Sequence, residues 1–162
     1  MMSKRIKVFN NELEMGLRIM IILEAIYPKS FDIEMINYYD YFILHTKDID
    51  GDESLHADVP NRYGELSVKR ELIRNSTKLL LSRGLIDIKY SERGIEYKAS
   101  ESTSPFLVNL EEKYTVRLKE NASWVYDKFK TYSFDDLNSF VIDNKNKWGT
   151  ENPYCTIGLI DE

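Results

Sequence analysis

The stretch LLLSRGLIDIKYSERGIEYKAS, residues 79–100, restricts the fold more than any other part of this chain. Leu79–Ser82 close an amphipathic helix, and Gly84 sits where a helix ends in a left-handed residue, a conformation glycine adopts without steric cost. Leu85, Ile86, Ile88 and Tyr90, then Ile95, Tyr97 and Ala99, read as two strands. SERG, 91–94, is the turn between them. A helix feeding a short hairpin leaves few architectures open.

The residues before it supply three helices. Asn11, with Glu14 three residues on, has the pattern of a capped start; Leu13, Leu17, Met20 and Ile21 follow helical spacing, and Pro28 stops the run. Ser30 or Asp32 opens a second helix carrying Ile33, Ile36, Tyr39 or Asp40, Ile43 and Leu44. Its YYDYF run, 38–42, puts aromatics on more than one side, so the helix is expected to be sandwiched, by the chain itself or by a partner. A third helix, 65–82, has Leu66, Leu72, Ile73, Ser76, Leu79 and Leu80 on one side and Ser67, Arg70, Arg74, Thr77 and Lys78 on the other.

After the hairpin, Pro105 starts a long helix to about residue 130, with a stripe of Leu107, Leu110, Tyr114, Leu118, Ala122, Val125 and Phe129. Ser133 and Asp136 cap a last helix that buries Leu137, Phe140 and Val141. The order predicts an α+β, mostly helical chain: a winged helix-turn-helix domain over 1–100, a two-helix extension over 101–148 that packs back or serves an interface, and a frayed or docking tail over 149–162.

Between the second and third helices lies KDIDGDESLHADVPNRYG, 47–64, a long loop without helical or strand period. It carries Asp48, Asp50, Asp52, Glu53 and Asp58. This matters for nucleic acid. Residues 61–98 hold nine Lys/Arg against five Asp/Glu, a local +4, whereas the chain as a whole is −5. Arg70 and Arg74 could face bases or phosphates, and Lys78, Lys89 and Arg93 could hold phosphates. Carboxylates leading into the reading helix would repel them. The basic positions therefore read first as a solvated helix face and second as a DNA surface.

Other chemistries find little. Asp48, Asp50 and Asp52 alternate as in a calcium loop, but Gly51 comes too early and Val59 stands where a glutamate is needed. His45 and His56 are the only histidines; a site with Asp58 or Asp40 matches no recurrent metal spacing, and ordinary polar contacts are expected instead. One cysteine, Cys155, forms no internal disulfide and no cysteine zinc site, and it lacks a neighbouring base. Catalytic residues, cofactors and metals are all expected to be absent. The basic start has no apolar core behind it, and the longest apolar run, 19–23, is too short to span a bilayer, so a cytoplasmic location is expected.

The opening helix NNELEMGLRIMIILEAIYP, the segment INYYDYFILHTKDIDGDESLHADVPNRYGEL, the VKRELI helix, SRGLIDIKYSERGIEYKAS and SPFLVNLEEKYTVRLKENASWVYDKF together resemble one family. It is the middle component of bacterial ABC-three-component conflict systems, of winged-helix type. The resemblance covers about residues 10–148, and its least ordinary part is the run of YYDYF, LH and PNR followed by GE at 64–65. It implies a non-enzymatic adaptor between an SMC- or Rad50-like ABC ATPase and an effector, in defence against phage or plasmids. It carries over no catalytic residues. An acidic loop would then meet a basic ATPase surface, and Tyr38, Tyr41, Asp50, Asp52, Glu53 and Trp124 are the expected partner-binding residues. Trp124, Tyr126 and Trp148 have the character of interface aromatics. The alternative is a winged-helix transcription regulator, a homodimer through the long C-terminal helix.

Overall fold

The computed structural model describes residues 11–149. The Asn11 side chain accepts from the Glu14 N–H at 2.8 Å and opens α1 (Glu12–Ile26). Asp32 caps α2 (Ile33–Leu44) the same way, accepting from the Met35 N–H at 2.9 Å. Two 3-10 turns, Thr46–Ile49 and Arg62–Gly64, bracket the acidic segment. Then come α3 (Glu65–Val68), α4 (Arg70–Ser82), strands β1 (Ile86–Ser91) and β2 (Gly94–Ala99), α5 (Thr103–Val108), α6 (Lys113–Phe129) and α7 (Phe134–Asn144). The described chain is thus mostly helical, with one small antiparallel sheet in which Ile86 faces Ala99 and Ser91 faces Gly94.

The hairpin follows its sequence closely. Gly84 and Gly94 have φ of +68° and +111°, so the backbone rather than crowding calls for glycine at both. Phe31 and Tyr97 exchange N–H···O bonds of 2.9 and 2.7 Å, which ties β2 to the link between α1 and α2.

The core is built around α1. Met15, Ile19, Ile22, Leu23 and Ile26 are all fully enclosed, and α1 meets α2, α4, α5, α6 and β2. From Met15 to Leu23 every residue of α1 but Arg18 is apolar, and such a stretch must be surrounded. For that reason a single stripe misplaces its face: Leu13, expected inside, is 76% exposed, and Leu17 is only partly covered. α2 is enclosed as well, buried without interruption from Ile36 to Thr46. The chain's own helices are what sandwich it. Phe42 stacks on Phe129 at 4.9 Å and Tyr41 on Trp148 at 4.8 Å. Trp148 is therefore a core residue, 3% exposed, and not an interface aromatic.

Two helices expected to be continuous are broken. The 65–82 helix has an irregularity at Lys69, whose side chain turns inward. The 105–130 helix is two, α5 and α6, separated by residues 109–112. Lys119 Nζ donates to the Leu107 and Leu110 carbonyls at 2.7 and 3.0 Å, and so satisfies acceptors that the break leaves open. Residues 1–10 and 150–162, with Cys155 and nearly all of the expected tail, lie outside the described residues. Among the described residues, no helix is long and apolar enough to cross a membrane.

Leu107, Leu118, Val125, Phe129 and Leu137 share one buried cluster with α1 and α2. Phe129→Ala should therefore destabilise the whole chain by about 3–5 kcal/mol. In urea, tryptophan fluorescence and far-UV circular dichroism should report one common transition moved to lower denaturant. Two separated transitions would mean that the 101–148 region unfolds by itself.

Candidate functional site

Charge inside an apolar helix packing is costly unless it is paired. α1 carries Arg18 into the centre, and α2 sets Asp40 opposite it. Arg18 Nε lies 2.6 Å from Asp40 Oδ1, with both side chains 0% exposed. Lys69, entering between α3 and α4, places Nζ 3.4 Å from Asp40 Oδ2 and 3.1 Å from Glu65 Oε2. The same Glu65 oxygen is 3.1 Å from His45 Nε2. Arg18 also bonds the Tyr114 hydroxyl, and that hydroxyl is 3.0 Å from His56 Nε2. α1, α2, the α3–α4 break, the acidic segment and α6 are thereby joined through polar atoms.

The electrostatics follow from this packing. Burial alone would raise the Asp40 carboxyl, but Arg18 and then Lys69 outweigh it and hold Asp40 below the usual carboxylate range. Burial likewise opposes the Arg18 charge, and Asp40 more than compensates. Glu65 would be raised by burial, yet the His45 bond and Lys69 bring it down to about 2. His56 is pushed down to about 4, by burial first and then by Lys69 and Arg18.

A second cluster fixes the acidic segment. Asp48 accepts from the Tyr41 hydroxyl at 2.6 Å and from Arg62 through both Nε, at 2.7 Å, and Nη2. Burial works against its charge, but the Arg62 and Tyr41 bonds prevail and its carboxyl lies below the usual range. The Gly51 N–H donates to Thr46 O at 2.8 Å, Thr46 Oγ1 to Asp52 O at 2.9 Å, and the His56 N–H to Leu44 O at 3.1 Å. A Cβ on Gly51 would come within 2.8 Å of both Thr46 O and the Trp124 ring. The segment is a built structure, and Asp48 is its internal anchor rather than a solvated acid.

Among the acids the segment exposes, Asp50, Asp52 and Glu53 flank Gly51 beside Trp124, itself 38% exposed, while the exposed Asp58 is held by Lys47. Arg117 holds the Glu53 carbonyl at 3.2 Å. These four expected partner residues lie along one edge. Tyr38 and Tyr41 do not join them: both are buried, with the Tyr38 hydroxyl donating to Asn138 at 2.7 Å. Enclosure of α2 on every side is the reason. Of the expected nucleic-acid residues, Arg70 pairs with Glu34 at 2.7 Å, Arg74 with Glu71 at 3.6 Å, and Arg93 with Asp32 at 3.1 Å while covering the Phe134 ring. Lys78 and Lys89 are exposed with no ion pair among the described residues. His45 meets Glu65, not Asp40 or Asp58; Asp58 instead pairs with Lys47 at 3.6 Å. Among the described residues, no group of three His, Cys, Asp or Glu side chains is placed to hold a metal ion.

Arg18, Asp48, Arg62, Glu65 and Lys69 were not among the expected site residues. A signal for the first existed: MGLRIMIIL sets one arginine inside an apolar run, just as NYYDYF sets one aspartate among aromatics.

Asp48→Asn should cost about 2–4 kcal/mol, because Arg62 is then left buried against a neutral amide. Limited proteolysis should cut first within 46–64 in that variant. Acid should act in two steps. The folded His56 value of about 4 lies below the ordinary 6.5, so the unfolded chain takes up the proton first and stability falls as pH drops from about 6.5 toward 4. Glu65 adds a second loss, from about 4.5 toward 2. Denaturation curves across pH should show both steps, and His56→Asn should flatten only the upper one.

A model of the family described as ABC-three component (ABC-3C) system Middle Component 2 matches residues 8–151. No curated protein and no solved structure matches the chain.

Proposed function

The chain belongs to the Middle Component 2 family of ABC-three component systems, and from that premise we propose that it is a non-enzymatic adaptor joining an SMC- or Rad50-like ABC ATPase to an effector in bacterial defence against phage or plasmids. Within the proposal, α1, α2, α4 and the β1–β2 hairpin act as a winged helix-turn-helix used for protein assembly. The observation that carries the reading is the acidic edge on a hydrogen-bonded segment. Asp50, Asp52 and Glu53 stand on a segment held by Asp48–Arg62 and Trp124, so they offer fixed negative charge next to an aromatic anchor. That is a surface for a basic protein face.

The interior groups support a role without catalysis. Arg18, Asp40, Lys69, Glu65 and His45 engage one another, and reaching a substrate would require unpairing them inside the core. The DNA reading is the weaker one. Arg70, Arg74 and Arg93 already face carboxylates, which leaves Lys78 and Lys89 as the expected phosphate holders without an ion pair among the described residues.

Reversing Asp50, Asp52 and Glu53 together to lysine should weaken binding to the ATPase about tenfold, mostly by slowing association, and should reduce the salt dependence of binding. Titration calorimetry with the purified ATPase reads this out. Unchanged affinity removes the edge as the contact surface. Tight, sequence-selective capture of a DNA duplex by the isolated chain, falling steeply with salt, would favour a regulator instead.

A further inference from the structure

We propose that the groove between α1, α4 and α5 docks a second copy of this chain about a two-fold axis. The groove encloses about 430 Å³ and is lined by Leu13, Leu17, Met20, Leu79, Leu80 and Phe106. Two of these project from it: Leu13 is 76% exposed and Phe106 47%. Apolar side chains standing beside an apolar groove are both knob and hole, the arrangement a self-complementary interface needs.

The charges at its rim say what fits. Ser76 Oγ donates to the Glu12 carbonyl at 3.2 Å, and a Cβ on Gly16 would meet Leu80 at 3.4 Å. α1 and α4 therefore run side by side in the same sense. Glu12 and Glu14 lie at the end near Ser76, and Arg83, which caps the C-terminal end of α4, comes seven residues after Ser76, roughly 10 Å away. None of these three has an ion pair among the described residues. A wholly basic partner would satisfy one end of the groove and be repelled at the other. A partner that suits both ends presents an acid and a base in reverse order, and a copy of the same surface turned through 180° does so. Glu12 and Glu14 of each copy then face Arg83 of the other, and Leu13 of each enters the opposing groove. The acidic edge at Asp50, Asp52 and Glu53 is a different surface, so the two copies need not compete with the ATPase for it.

The proposal does not rest on the adaptor reading, and its test uses the full chain alone. Sedimentation equilibrium across the micromolar range should show a monomer–dimer equilibrium. Leu13→Glu should raise the dissociation constant at least about tenfold, as should Arg83→Glu. The charge-swapped chain E12R/E14R/R83E should return it to within about threefold of the wild type. Circular dichroism confirms that each variant is folded; because Leu13 and Arg83 are exposed, neither single change removes core packing. A wild-type chain that stays monomeric overturns the proposal. So does a dimer indifferent to Leu13→Glu, or a swapped chain no better than Arg83→Glu alone.

Discussion

One carboxylate orders this molecule. Asp40 is fully buried and receives Arg18 from α1 and Lys69 from the α3–α4 break. Apart from Arg18, α1 is apolar on every side from Met15 to Leu23, so hydrophobic burial by itself fixes its rotation and height among its neighbours only loosely. A buried charge pair supplies both, since any slip would leave Arg18 or Asp40 unpaired in the core at a cost of several kcal/mol. Lys69 extends the constraint to Glu65, and Glu65 to His45 at the end of α2. Three helices are thus held at one relative position by four charged side chains and an imidazole.

The same logic reaches the surface. His45 precedes the 3-10 turn that starts the acidic segment, and Tyr41, one turn before it in α2, binds Asp48 within that turn. Arg62 closes the segment on Asp48 from its far end. The carboxylates that remain outside are therefore displayed from a fixed frame. A loop free to move would present the same charges at a larger entropic cost on binding. The link from buried ion pair to displayed acid is what makes the edge of Asp50, Asp52 and Glu53 suited to recognition.

Much of the architecture was legible in the residues because it depends on local chemistry. Asn11, Asp32 and Ser133 cap their helices, with Ser133 and Asp136 forming a reciprocal capping box. Gly84 and Gly94 take positive φ where a helix end and a tight turn require it. The features missed all depend on distant partners. The α5–α6 break is stabilised by Lys119, about three turns of helix beyond Leu107 in sequence, and periodicity carries no trace of it. Asp48 reads as one of five loop acids until Arg62 and Tyr41 converge on it. Tyr38 and Tyr41 read as surface because a helix with aromatics on several sides fits an interface as well as a core. Trp148 reads the same way, with nothing near it in the chain to announce the stack on Tyr41.

The Arg18–Asp40 pair acts as a unit to set the packing of α1 on α2. A thermodynamic double-mutant cycle with Arg18→Met, Asp40→Leu and both together measures it most directly. Each single change should cost about 3–5 kcal/mol, because it strands the other charge in the core. The double variant should recover most of one of those losses, giving a coupling energy of about 2 kcal/mol or more. Strictly additive losses would contradict the account, since they would mean that the two side chains contribute to folding independently.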